Sequence, residues 1–121
     1  MAKKRITTYE EACVYNGEEP MNEQALLDLG VTPRQIAGMK LEKITLALND
    51  GKPTDIYNGE NRWFPVFWTY KGPSAFAFDS SDCGCSLADA GSGSRLSYHD
   101  KETSDYSGQQ FLELWKEYSE N

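Results

Sequence analysis

Apolar residues recur at three- and four-residue intervals in two stretches of this chain, and those stretches predict its two longest helices. In the first, Ala37, Leu41, Ile44 and Leu48 form one stripe, flanked by a second row of Ile36, Met39 or Lys40, Lys43 and Ala47. Thr32-Pro33 starts this helix, because Thr offers a side-chain cap and Pro at the first helical position loses nothing by lacking an N–H. Asn49-Asp50-Gly51 ends it. In the second stretch Asp100 caps a helix running to about Ser119, with Tyr106 or Ser107, Phe111, Leu114 or Trp115, and Tyr118 as its stripe. Gly108 inside it costs roughly 1 kcal/mol against Ala, which points to the close approach of another backbone there.

Two shorter helices are expected before these. Thr7 with Glu10, or Thr8 with Glu11, forms a capping box, and Asn16-Gly17 supplies the left-handed stop. Asn22 caps the next, with Ala25, Leu26 and Leu29 inward and Gly30 as its end. Residues 52–62 are polar and rich in Gly, Pro and Asn, and read as a loop. Strands are predicted at residues 63–70, 75–78 and 95–99. Pro65 cannot donate to a ladder, so the first of these is an edge strand or begins after the proline. Phe76 and Phe78 share a face of the second, and residues 79–94, small and glycine-rich, form a mobile loop. Helices segregated from strands define an α+β domain: N-terminal helices, a three-stranded antiparallel sheet and a C-terminal helix packed on it.

Composition adds a boundary. The 121 residues suffice for a single domain, and three Trp, seven Tyr and five Phe supply a core. No apolar run is long enough to span a bilayer. Three cysteines, an odd count, and a basic start with no apolar stretch behind it predict a reducing compartment. Residues 1–6 read as a flexible basic tail carrying Lys3, Lys4 and Arg5. The net charge of −7 is uneven: residues 6–31 hold Glu10, Glu11, Glu18, Glu19, Glu23 and Asp28 with no Lys or Arg. Such a surface disfavours phosphate backbones and suits a basic partner; its plainer reading is solubility.

Several constellations could carry chemistry. Residues 24–39 fit a helix-turn-helix, with Ala25, Leu29, Gly30, Val31, Ile36 and Met39 in its apolar and turn positions and Arg34, Gln35 and Lys40 facing a groove. Leu26 occupies the place that wants a small residue, and the acidic flank would repel DNA. Two helices joined by a turn account for the same residues. Cys83 and Cys85, with His99, Asp79 and Asp82, offer metal-ligand types, but one C-x-C and a lone histidine fall short of two spaced pairs and read as loop-exposed thiols. Residues 79–84 lack the acidic spacing of an EF-hand. Gly91-Ser92-Gly93-Ser94 with Arg95 could cradle an anion, yet it precedes a strand instead of opening a helix. His99 is the sole possible base for a serine triad. Among the aromatics Trp63, Phe64, Phe67, Trp68 and Tyr70, one face is core and the other exposes a protein-binding patch.

Lys40-Leu41-Glu42-Lys43-Ile44, Leu46-Ala47-Leu48-Asn49, Trp63-Phe64-Pro65-Val66-Phe67, Gly93-Ser94-Arg95-Leu96-Ser97-Tyr98 and Tyr106-Ser107-Gly108-Gln109-Gln110-Phe111 together resemble a small protein family of phages and mobile elements of gut Bacteroidales. Ser97 stands where that pattern carries Cys, and residues 82–90 look like an individual insertion. The resemblance implies a phage-type origin and a host-cytoplasmic setting, and assigns no functional residue. The expectation is a non-enzymatic accessory protein without cofactor or metal, binding a host protein or nucleoprotein complex with a basic surface. Inhibition of a host defence, of anti-CRISPR type, is its most concrete form. Glu10, Glu11, Glu18, Glu19, Glu23, Asp28, Trp63 and Trp68 are the candidate contacts. The alternatives are a DNA-binding regulator acting through Arg34, Gln35 and Lys40, and a virion structural or assembly protein.

Overall fold

Thr32 starts the longest helix, α3 (Pro33–Leu48), by a reciprocal pair of bonds: its Oγ1 accepts from Gln35 N–H at 3.2 Å and Gln35 Oε1 accepts from Thr32 N–H at 2.8 Å. Asn49 closes it, and Asp50 and Gly51 follow at φ of 56° and 77°. The computed structural model describes residues 6–84 and 94–120. Before α3 come α1 (Tyr9–Asn16), stopped by Gly17 at φ 74°, and α2 (Glu23–Asp28), capped by Asn22. After it come β1 (Arg62–Trp68), β2 (Ala77–Gly84), α4 (Lys101–Gln110) and α5 (Leu112–Ser119). The architecture is α+β, as expected.

The core lies along α3. Leu41, Ile44, Ala47 and Leu48 meet Tyr9, Ala12 and Cys13 of α1 on one side and Phe111 and Trp115 on the other. Ile6, expected in a flexible tail, is instead buried in this core, and its carbonyl accepts from Tyr106 Oη at 2.7 Å. Residues 1–5 of that tail lie outside the described residues.

The sheet has two described strands, not three. β1 and β2 run antiparallel from Arg62↔Gly84 to Trp68↔Ala77. Tyr98 forms a single bridge to the far edge of β1, exchanging both bonds with Trp63 at 2.7 and 2.9 Å. The ladder does not extend from this rung towards Leu96. Ser97 and His99, whose backbone groups face away from β1, bond instead to Asn49 at the end of α3, which donates to Ser97 O at 3.0 Å and accepts from His99 N–H at 3.4 Å. The next rung would need an N–H from Pro65. Residues 94–96 accordingly form a 3₁₀ turn. Trp63 directs its backbone groups away from β2, so alternation points those of Pro65 the same way, and β1 runs through the proline without losing a β1–β2 bond.

The expected mobile loop begins too early. Residues 79–84 belong to β2, and Ser81 Oγ anchors the strand to α4 through Ser104 Oγ at 2.8 Å and Asp105 Oδ1 at 2.6 Å. The remainder of that loop, 85–93, lies outside the described residues. A register shift after Val66 skips Asp79 and sets Phe78 opposite Phe67, whose ring stacks on Phe76 at 4.9 Å. The single C-terminal helix of the sequence reading is two, broken at Phe111 (φ −109°, ψ 33°), where the buried ring anchors the chain. The close approach at Gly108 is real, but its partners are the side chains of Phe78 and Pro65 and not a backbone.

Candidate functional site

Burial of Tyr9, Ala12 and Cys13 fixes which way α1 faces, and leaves Glu10, Glu11 and Val14 pointing to solvent. Of the two overlapping capping boxes, Thr8 is the cap, with Oγ1 accepting from Glu11 N–H at 3.1 Å. Glu11 reaches back to Thr7, taking its N–H at 2.7 Å and its hydroxyl. Those Thr7 bonds, the hydroxyl's first, hold the Glu11 carboxyl below its ordinary range. Past Gly17 the chain carries Glu18, Glu19 and Pro20 into α2, where Asn22 Oδ1 accepts from Ala25 N–H at 3.1 Å.

All six carboxylates of this stretch are exposed. Two are neutralised by cations of α3: Lys43 Nζ lies 2.8 Å from Glu18 Oε2, and Lys40 Nζ lies 2.8 Å from Glu23 Oε2. Asp28 accepts from the neutral amide of Gln24, Nε2 to Oδ1, at 2.9 Å. Glu10 and Glu19 have no ionic partner among the described residues. Apolar side chains stand between these charges: Val14 is 80% exposed and Leu29 81%, with Leu27 also outward. None of the residues of α2 is buried, so its caps and the Lys40–Glu23 pair hold it in place with little help from the core. Leu29, expected inward, turns out to solvent together with Val14 and Leu27. The signal was available for Val14, because a helix burying positions 9, 12 and 13 must expose position 14.

The two candidate tryptophans are not one patch. Trp63 is half-buried and packs on the core, whereas Trp68 is 58% exposed. Trp68 and Tyr70, with Lys71 and Ala75, line an open hollow of about 290 Å³ at the end of the hairpin.

No family model, curated protein or solved structure matches this chain. Its site therefore stands on geometry alone.

The residues proposed to read DNA are occupied within the fold. Arg34 donates through Nε to Tyr118 O at 3.0 Å, with its guanidinium 5.8 Å from the Tyr118 ring centre. Gln35 completes the α3 cap, and Lys40 lies over the Tyr9 ring at 5.5 Å while paired with Glu23. Ala25 is exposed and Leu26 only half-buried, so α2 does not form the packed first helix of a helix-turn-helix.

Among the described residues no three of His, Cys, Asp and Glu converge as metal ligands. Cys83 is an exposed free thiol, Asp82 accepts from its N–H at 2.8 Å, and Cys85 lies outside the described residues. The same holds for Gly91, Ser92 and Gly93 of the candidate anion loop, while Arg95 is exposed, 4.0 Å from Glu42. His99 bonds to Lys52 O at 2.6 Å and approaches Glu60 at 3.3 Å; no serine is bonded to its ring among the described residues.

Buried polar groups serve the fold. Tyr98 Oη joins Thr45 Oγ1 at 3.0 Å and Ser107 Oγ at 2.6 Å, and Trp115 Nε1 donates to the same Ser107 Oγ at 3.1 Å. Burial pushes the Tyr98 hydroxyl up to about 12, against the pull of those two hydrogen bonds. The largest hollow among those described, about 880 Å³ and open to solvent, lies between the start of α3 and α5. Its charged lining of Arg34, Lys116, Glu113, Glu117 and Glu120 contains no serine or cysteine nucleophile.

Proposed function

We propose that this chain is a non-enzymatic binding protein that meets a host protein or nucleoprotein complex through its anionic α1–α2 face. The observation that carries the reading is the placement of Glu10, Glu11, Glu18, Glu19, Glu23 and Asp28 at the surface of a stretch without a single Lys or Arg, with Val14 and Leu29 standing exposed among them. Carboxylates steer a cationic surface into contact and apolar side chains hold it once water is excluded. Such a face can occupy a basic nucleic-acid channel, with carboxylates where phosphates would sit. With the phage and mobile-element resemblance, this supports an inhibitor of a host-defence complex, of anti-CRISPR type, acting in the host cytoplasm. Trp68 belongs to a separate exposed patch and is a secondary contact in this reading.

The test compares two reversals of equal charge. Glu10→Lys, Glu19→Lys and Asp28→Lys alter three of the four carboxylates that no lysine neutralises, sparing Glu11 at the start of α1; Glu113→Lys, Glu117→Lys and Glu120→Lys alter the α5 surface. Tagged wild-type protein should retain a basic host protein or nucleoprotein from lysate in a salt-sensitive manner. The N-terminal reversal should lose it and the α5 reversal should keep it. Equal loss from both would reduce the effect to net charge, and retention by both would refute the assigned face.

A further inference from the structure

The imidazole of His99, the only histidine of the chain, lies between two oxygen acceptors. Its Nε2 is 2.6 Å from the Lys52 carbonyl and its Nδ1 is 3.3 Å from Glu60 Oε1. A neutral ring has one N–H and one lone pair, so one nitrogen would face an oxygen with nothing to share. An imidazolium donates to both.

Each side of this contact has a distinct mechanical role. His99 sits between the Tyr98 bridge to β1 and Asp100, which caps α4 by accepting from Thr103 N–H at 2.7 Å. Lys52 and Glu60 are near the two ends of the loop between α3 and β1. Within that loop Thr54 is tied to Ser97 Oγ at 2.7 Å, and Ile56 O accepts weakly from the buried Arg62 at 3.5 Å. The tip is held by short-range bonds: Asp55 Oδ1 accepts from Tyr57 N–H at 2.8 Å, and Asn58 Oδ1 accepts from Glu60 N–H at 2.9 Å. Glu60 Oε1 also accepts from Asp55 N–H at 3.4 Å, so one carboxylate oxygen gathers both the ring and the start of the tip. Tyr57 projects from this tip, 90% exposed. The charged groups around the ring are Glu60 and Asp55 on the loop, Lys52 whose carbonyl it meets, and Asp100 next to it in the chain.

We propose that His99 is a proton-operated latch on the tip of the loop between α3 and β1. The imidazolium clamps Lys52 and Glu60 together and closes the tip; loss of the proton leaves an acceptor facing an acceptor and releases it. The latch holds on the acid side of the ring's titration and opens on the alkaline side, provided that Glu60 is ionised. Thr54 stays tied to Ser97 and Ile56 O to Arg62, so the motion is confined to residues 57–60, which include the exposed Tyr57.

The test follows cleavage after Tyr57 by chymotrypsin across the pH range in which nuclear magnetic resonance shows the His99 ring to titrate. Rates are expressed relative to a free peptide of residues 52–62 at the same pH, which removes the protease's own pH dependence. The expected result is a rise of about two- to fivefold, the size of a partly exposed charged contact, sharing its midpoint with the ring. His99→Gln keeps a donor for the Lys52 carbonyl but cannot titrate, and should give a flat profile. Glu60→Gln, at a half-exposed position, should shrink the step with the histidine still present. A ring that titrates without a step, a step that survives in His99→Gln, or a step undiminished in Glu60→Gln would overturn the latch.

Discussion

A methyl group added at Gly108 would collide with the hairpin beneath α4. A Cβ built there lies 2.3 and 2.6 Å from two carbons of the Phe78 ring and 2.9 Å from Pro65 Cβ. Comfortable carbon contacts lie near 3.5–4.0 Å, so the helix and hairpin must separate by about 1 Å or the Phe78 ring must turn. Turning is resisted, because Phe78 meets Phe67 edge-on at 6.1 Å and Phe67 in turn lies 5.7 Å from Trp115. Overpacking of this kind costs about 1–3 kcal/mol, while Ala in place of Gly in a helix recovers about 1 kcal/mol. With so short a contact, Gly108→Ala should destabilise by about 1–2 kcal/mol, or lower Tm by about 4–8 °C in a domain of this size. Thermal unfolding followed by circular dichroism measures it. Gly38→Ala is the control: its Cβ would meet only the ring edge of half-buried Tyr118, at 2.9 and 3.0 Å, which can swing aside. It should stay within about 0.5 kcal/mol of the parent, the helix gain offsetting the adjustment. Phe78→Leu combined with Gly108→Ala should show favourable coupling in a double-mutant cycle. A rise in Tm for Gly108→Ala, as for an open helical position, would refute the packing of α4 on β1 and β2.

Two further outcomes follow from particular side chains. Tyr98 keeps its proton to about pH 12 in the native state against 10.0 for the free group, so between those values the unfolded chain has lost a proton that the native one retains, and stability falls as pH rises. The drop is about 3 kcal/mol over that window, read as a falling urea midpoint; Tyr9 and Tyr106 are shifted the same way by burial, so Tyr98→Phe should reduce the alkaline slope without abolishing it. Thr32→Ala removes the hydroxyl that caps α3 and should cost about 1 kcal/mol in urea unfolding, with Thr32→Ser retaining most of it; a neutral Thr32→Ala would show that the cap contributes nothing to stability.

At the candidate site the sequence identified the charges and missed their company. Six carboxylates without a cation are visible by inspection, and charged side chains at helix positions opposite an apolar stripe stay in water. That Lys40 and Lys43 would return from α3 to neutralise Glu23 and Glu18 depends on how α3 lies against the chain before it. Arg34 and Gln35 also find partners inside the chain, Arg34 at Tyr118 of α5 and Gln35 in the local cap of α3. His99 was visible as a lone titratable ring, but Glu60 reaches it across 39 positions of sequence separation only because Asn49 and Thr54 fold the loop back onto the segment around Ser97.

Helix boundaries were legible because their causes are local. Thr8, Asn22, Thr32 and Asp100 cap with their own side chains, and Gly17 and Gly51 adopt positive φ, within a few residues of where each helix starts or stops. The stripe of Ala37, Leu41, Ile44 and Leu48 is buried for the same reason, since 3.6 residues per turn is a property of the backbone; Gly38 and Thr45, buried beside it, and Met39, exposed, were not legible that way. Strand number was not local. Residues 95–99 alternate as a strand should, and only the folded arrangement set Tyr98 against Trp63, which puts Pro65 where the next rung would form. Nor could periodicity locate the break at Phe111 or the partners of Gly108, since both depend on where α4 meets a hairpin formed some thirty residues earlier. Local hydrogen-bond geometry is written in neighbouring residues; whether a donor stands where a distant rung needs one, and which distant groups share one space, is decided only once the chain has folded.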